Sequence, residues 1–259
     1  MSTNEEQPWE LYYWASVGED GRNHMVGRGE FIRLMFELAR VNYIDHGVKD
    51  GKPPEKDELK SVYTSSVLDF AKKGGNVDFP FFAPPAIKKG DFVLSQTPTI
   101  MKYLGKKFGF YPSSEEDEFH GDALMAFLTD FIAEGRLVFH PKNFNLTYFN
   151  QIEEAKPYIK WFEDERMPFF MSYLEKVLEF QVKKGKENGF FVGETLTYVD
   201  VAAFHVITAA ASQFPAAYDI AVSKTPLLGQ HRERISKVPN IAAYLASDRR
   251  GFFEGNSMM

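Results

Sequence analysis

Residues 84–109, PPAIKKGDFVLSQTPTIMKYLGKKFG, constrain the fold more than any other stretch of this chain. Two short apolar runs, PPAI and FVLS, flank the turn signal KKGD, which is the pattern of two strands joined by a tight connection. Thr97 and Pro98 then open a helix whose apolar face runs through Met101, Leu104 and Phe108. Proline fits the first helical position because it has no N–H to leave unpaired there. The polar SQT in front of it marks a helix N-terminus of the kind that binds anions through free amides and the helix dipole.

The segment upstream adds a strand, a helix and a strand. WELYYWA (9–15) is aromatic-rich and reads as a strand, and YIDHGV (43–48) as a second. Between them, GEFIRLMFELARVN places Phe31, Leu34, Met35, Leu38 and Ala39 on one helical face. Gly27-x-Gly29 lacks the third glycine of a dinucleotide fingerprint, with Ile32 in its place, so it reads as a loop before a helix. Residues 47–65 are rich in Lys and Pro and read as mostly loop or a short irregular helix. The order βαβ then ββα within about 110 residues implies a small α/β sandwich.

The character changes at YPSSEEDE (111–118). Tyr-Pro-Ser-Ser reads as a linker, and Ser113 or Ser114 can cap a helix with acidic residues in its first turn. Beyond it no strand pattern recurs. Phe127, Leu128, Phe131 and Ile132 share a helical face. So do Phe170, Leu174, Val177, Leu178 and Gln181, then Val199, Ala202, Ala203 and Val206, and finally Ile241, Tyr244 and Leu245. The expected organisation is an α/β domain over 1–110 and an all-helical domain over 117–259. Thr197 and Asp200 have the spacing of a capping box, with Leu196 and Val201 placed for a hydrophobic staple, which is a folding feature.

Composition removes several function classes. A formal charge of −6 does not suit nucleic acid, which demands a basic face. The absence of cysteine excludes disulfides, thiolate metal sites and any protein thiol nucleophile. The six histidines lack HxxxH or HxH spacing, so no metal site is read. No apolar run is long enough to span a membrane, and the polar start MSTNEEQPWE carries no signal segment. A cytoplasmic protein is expected. The 25 Phe and 12 Tyr point to aromatic cores or aromatic-lined pockets.

Several of these stretches, in this order, resemble the cytosolic glutathione transferases of the tyrosine-type classes (mu, pi and sigma). YYW followed by GRGEFIRLMFELARVNY resembles their first strand and helix. DFP…PPAI…GDFVLSQTPTIMKYLGKKFG resembles the block that binds glutathione. ENGFFVGETLTYVDVAAFHVI and VPNIAAYLASDRR resemble the capped helix and last core helix of their helical domain. The resemblance implies a thioredoxin-like N-terminal domain, an all-α C-terminal domain, and a homodimer that conjugates the glutathione thiolate to small hydrophobic electrophiles. Glutathione would be a co-substrate without any metal, and a peroxidase side activity is a further implication. A related protein of this fold that binds ligands with little catalysis is the alternative. Reductases of the fold that use a protein thiol are excluded by the missing cysteine.

The resemblance also implies residue roles. A free thiol has a pKa of about 8.5, so a donor aimed at the sulfur is needed to favour the thiolate at neutral pH. Tyr13 matches the tyrosine at the end of the first strand. Tyr12 is an alternative, since adjacent strand residues face opposite ways, and Ser16 of the long 16–26 loop is another. Gln96 and Thr97 occupy the Gln-Ser pair that holds the γ-glutamyl group. Pro85 matches the cis-proline before the third strand. The residue before it pairs with the cysteinyl backbone of glutathione. Here it is Pro84, which has no N–H and offers only its carbonyl. Arg28 matches the second arginine of the RGR motif, with Val26 at the first. Lys72, six residues before Asp78, matches a lysine that pairs with the glycine carboxylate; Lys73 is its alternative, and Leu68 stands where the family has tryptophan. Asp130 falls where a partner subunit's acid meets the γ-glutamyl ammonium. Phe139 and His140, with the aromatic-rich stretch 143–162, mark the electrophile site expected between the domains.

Overall fold

The computed structural model describes residues 7–14, 26–47, 67–73, 79–143, 146, 148–253 and 258. In chain order the described elements are β1 (Trp9–Tyr12), α1 (Gly29–Ala39), β2 (Tyr43–Asp45), α2 (Leu68–Lys72), β3 (Ala86–Lys89), β4 (Phe92–Ser95) and α3 (Thr97–Phe108). There follow α4 (Glu115–Leu137), α5 (Ile152–Trp161), α6 (Met167–Lys183), α7 (Tyr198–Gln213), α8 (Pro215–Val222), α9 (Pro226–Ser236) and α10 (Pro239–Leu245). The chain forms two compact units, Met1–Phe108 with Val238–Glu254, and Gly109–Lys237 with Gly255–Met259. No described helix is long and apolar enough to cross a membrane.

The first unit is built on a four-stranded mixed sheet in the order β2-β1-β3-β4. β1 runs parallel to β2 and antiparallel to β3, and β3 is antiparallel to β4. α1 follows the predicted face but is buried nearly all round, and it ends at Ala39 because Arg40 turns left-handed (φ 55°). Trp9 packs against the rings of Phe36, Tyr103 and Phe108, which joins β1 to α1 and α3.

Three boundaries differ from the sequence expectation for backbone reasons. β3 starts at Ala86 rather than Pro84, since neither proline has an N–H for a ladder flanked on both sides. The turn is only Gly90–Asp91, with Gly90 at φ 61°, so Lys88 and Lys89 belong to the strand. α3 starts at Thr97, one residue before the proline, because the Gln96 carbonyl already accepts from Ile100 N–H at 2.9 Å.

The second unit is helical. Ser114 Oγ caps α4 by accepting from Asp117 N–H at 3.1 Å, with four acidic residues in the first turn. Aromatic rings fill its core: Phe131 stacks on Phe170 at 4.6 Å, and Phe214 meets both Phe162 and Phe139. The aromatic stretch 143–162 is helical over much of its length, forming α5 and leading through a π-helical turn (Phe162–Arg166) into α6. On α6, Glu175 accepts the Leu227 and Leu228 amides at 3.0 and 2.8 Å and caps α9 with a carboxylate.

The helix from VPNIAAYLASDRR departs from the expected domain assignment. α10 packs with the first unit, not the helical one. Its polar groups are matched to α1: Asn240 donates to the Leu38 carbonyl at 2.9 Å, and Tyr244 Oη donates to Glu30 at 3.0 Å.

The capping box forms around a buried carboxylate. Asp200 Oδ2 accepts from Thr197 N–H (2.7 Å) and Thr197 Oγ1 (2.9 Å), and Oδ1 accepts from Phe191 N–H (2.9 Å). Removing it would strand two buried amides, each costing about 1–3 kcal/mol. Asp200→Ala is therefore expected to lower unfolding stability by about 2–5 kcal/mol, measured as the shift of the urea midpoint. A shift below 1 kcal/mol would mean that these amides find other partners.

Candidate functional site

Strand register brings the sequence-predicted residues of the first unit to one end of the sheet. Tyr12 pairs with Ala86, and Ala86 pairs with Ser95. The next residue on each chain therefore emerges at the same edge: Tyr13 after β1, Pro85 and Pro84 before β3, and Gln96 and Thr97 after β4. The Pro84–Pro85 bond is cis.

The two candidate tyrosines have different surroundings. Tyr12 Oη donates to Glu10 at 2.8 Å, and its ring is stacked between His46 (4.1 Å) and Phe70 (3.7 Å). Burial, together with the Glu10 acceptor, pushes its hydroxyl well above the usual tyrosine range. Glu10 is in turn held below its usual range: burial opposes ionisation, but bonds from Lys88, Tyr12 and His46 outweigh it. Tyr13 lies instead against the turn that starts α1, and its Oη accepts from Arg28 N–H at 2.8 Å. A phenol oxygen that accepts in this way keeps its own O–H as a donor.

Glycines make that approach possible. A Cβ at Gly27, which sits at φ 44°, would fall 2.4 Å from Tyr13 Oη, and one at Gly29 would fall 2.5 Å from its ring. Gly47 touches the same residue from the backbone side, where a Cβ would lie 2.8 Å from the Tyr13 carbonyl oxygen. Ser16 and most of the 16–26 loop lie outside the described residues, as does Asp78.

At the start of α3, Gln96 holds a left-handed conformation (φ 72°), which is unusual for a residue with a side chain. Thr97 is 7% exposed, and its Oγ1 has no hydrogen-bond partner among the described residues. The helix has no internal partner for the Thr97 and Thr99 amides either. Polar groups without a partner inside the helix thus converge on one helix terminus, an arrangement suited to a carboxylate.

The remaining sequence-predicted residues are more scattered. Lys72 and Lys73 are exposed at the end of α2, two and three residues beyond Phe70. In the second unit, Asp130 is exposed on α4. Phe139 is buried against Phe214 and Tyr148, so it serves the helical core. His140 Nδ1 lies 2.9 Å from the Leu146 carbonyl oxygen and pins a loop that Gln151 also holds. Among the described residues no cluster of side chains has a metal-binding arrangement.

Sequence reading missed a set of buried charges beneath Tyr13. Arg33 Nε donates to Asp45 Oδ2 at 2.6 Å, and Arg33 Nη1 reaches the Val26 carbonyl (3.2 Å) and Glu30 (3.4 Å). Glu30 is fully buried, accepts from Tyr244 and faces Arg250 at 3.5 Å. Burial pushes its carboxyl up, against the pull of Arg33 and Arg250. On sequence alone Glu30 and Arg33, three apart, carry no local signal of burial.

Comparison with known proteins finds glutathione S-transferases. The family description "Glutathione S-transferase, C-terminal domain" matches residues 138–248. The chain is 29% identical over 227 residues to a glutathione S-transferase of Plasmodium yoelii yoelii, covering 88% of this chain and 92% of that one. It is 28% identical over 232 residues to one of Plasmodium falciparum, covering 88% and 94%. The solved glutathione S-transferase of Caenorhabditis elegans shares the fold, with a TM-score of 0.60, 22% identity, and 93% and 98% of the two chains covered. With a mixed sheet that ends in a tyrosine, a proline pair and an open helix terminus, and a helical second unit, the chain is similar to glutathione S-transferases over most of its length and shares their fold.

Proposed function

We propose that the protein is a glutathione transferase in which Tyr13 stabilises the glutathione thiolate for attack on small hydrophobic electrophiles. The observation that carries this reading is the sheet end, where Tyr13, the Pro84 carbonyl and the α3 N-terminus are brought to one edge by register. In this reading the γ-glutamyl carboxylate takes the Thr97 hydroxyl and the free amides of α3, with Gln96 beside it. Pro84 contributes a carbonyl to the cysteinyl N–H, Arg28 and Lys72 supply positive charge, and Tyr13 donates its O–H to the sulfur. Phe139 belongs to the packing of the second unit, so His140 is the better of the two electrophile-site candidates. A peroxidase side activity would use the same thiolate.

A hydrogen bond to a charged acceptor contributes about 1.5–3 kcal/mol, equivalent to about one or two pKa units on the sulfur. Tyr13→Phe is expected to raise the thiol pKa of bound glutathione by that amount and to slow aryl-halide conjugation at neutral pH about 10- to 100-fold. Ultraviolet titration of the bound thiolate checks it; an unchanged pKa removes Tyr13 from the role.

Thr97 separates binding from stability. Its buried hydroxyl lacks a partner among the described residues, which costs about 1–3 kcal/mol in the free protein. Thr97→Val is expected to raise the unliganded melting temperature while weakening glutathione about tenfold, the loss of one bond to a charged group. Thermal unfolding and calorimetric titration give the two readings. A variant that binds glutathione as well as the parent does would place the carboxylate elsewhere.

The chain is also proposed to form a two-fold homodimer in which Asp130 of one subunit meets the γ-glutamyl ammonium bound by the other. Light scattering at micromolar concentration should give about twice 29.7 kDa. A fully active monomer at that concentration would exclude the role of Asp130.

A further inference from the structure

We propose that Arg33 is a positioning residue for Tyr13, acting through the Val26–Gly29 turn; this rests on the reading of Tyr13 as the donor to the thiol. Arg33 is itself 4% exposed, and its hydrogen bonds run to Asp45, Val26 and Glu30. Its influence runs along two connected arms.

The first arm reaches the ring. Arg33 Nη1 donates to the Val26 carbonyl at 3.2 Å, the same oxygen that accepts from Glu30 N–H at 3.2 Å. Fixing that peptide fixes the turn in which Gly27 and Gly29 press on the Tyr13 ring and Arg28 N–H meets its Oη. The second arm reaches the backbone. Asp45 uses one oxygen for Arg33 Nε (2.6 Å) and the other for Gly47 N–H (2.9 Å). Gly47 is the residue seated against the Tyr13 carbonyl. One guanidinium thus ties down both sides of the tyrosine.

The opposite face of Arg33 is closed by Glu30, which Tyr244 and Arg250 hold from the C-terminal segment of the same unit. Among the described residues, the groups facing Arg33 include Asp45, Glu30, Tyr244 and the Val26 carbonyl. Lysine cannot replace it: a single ammonium has no planar fork to serve Asp45 and Val26 together.

A double-mutant cycle on the full chain tests this. Arg33→Lys should raise the thiol pKa of bound glutathione by about half a unit to one unit, slowing conjugation at neutral pH about 3- to 10-fold, with little change in glutathione affinity. In a Tyr13→Phe background the same substitution should move the thiol pKa no further, because the route to the sulfur is already cut. A merely structural role for Arg33 would add its effect in both backgrounds. An additive shift, or a wild-type thiol pKa in folded Arg33→Lys, overturns the proposal. Should Arg33→Lys fail to fold, Asp45→Asn keeps the volume and removes the charge that holds the guanidinium, and the same non-additivity is required. If Tyr13→Phe alone leaves the thiol pKa unchanged, the assignment of Tyr13 fails and this proposal falls with it. A normal Tyr13→Phe shift with additive Arg33 effects sinks only the positioning role.

Discussion

The 2.6 Å pair between Arg33 and Asp45 is the contact on which the first unit turns. It joins α1 to β2, and each partner also bonds backbone beside Tyr13: Arg33 the Val26 carbonyl, next to Gly27, and Asp45 the Gly47 amide. Buried ion pairs are poor sources of net stability, because desolvation offsets most of their attraction. Their value is geometric, since a guanidinium held by a carboxylate and a carbonyl leaves the turn one arrangement. The cost of burying these charges is consistent with a region kept for precision at a site rather than for stability.

The same trade recurs at the head of α3. Gln96 carries a left-handed backbone and Thr97 a buried hydroxyl without a partner among the described residues. Neither feature helps the free protein fold. Both make sense if a ligand supplies the missing acceptor, because polar groups already aligned lose little entropy on binding. The second unit, by contrast, satisfies its buried carboxylates internally: Asp200 and Glu175 each meet backbone amides of a helix start or its approach. Carboxylates that resemble catalytic groups by their burial are there structural caps.

Much of this was legible in the sequence, for identifiable reasons. Periodicity gave α1, α4, α6 and α7, since apolar faces at 3.6-residue spacing dominate burial, whereas α5, α8 and α9 showed no such face in the reading. The capping box was readable because Thr197 and Asp200 act within a single turn. The proline pair and the SQT segment were readable because proline and helix starts have local rules. What was lost is non-local. α10 looks like any core helix, and its bonds to Glu30 and Leu38 across more than 200 residues tie it to the first unit. Phe139 was placed at a ligand site because aromatics line both pockets and cores, and sequence does not separate the two. Arg33 and Glu30 were passed over because charged residues on a helix are exposed by default.

The most direct measurement is a crystal structure of the protein with glutathione bound. The account predicts the glutathione sulfur within hydrogen-bond reach of Tyr13 Oη and the γ-glutamyl carboxylate on Thr97 Oγ1. A sulfur that meets Tyr12, or a residue of the 16–26 loop, and not Tyr13 would contradict it.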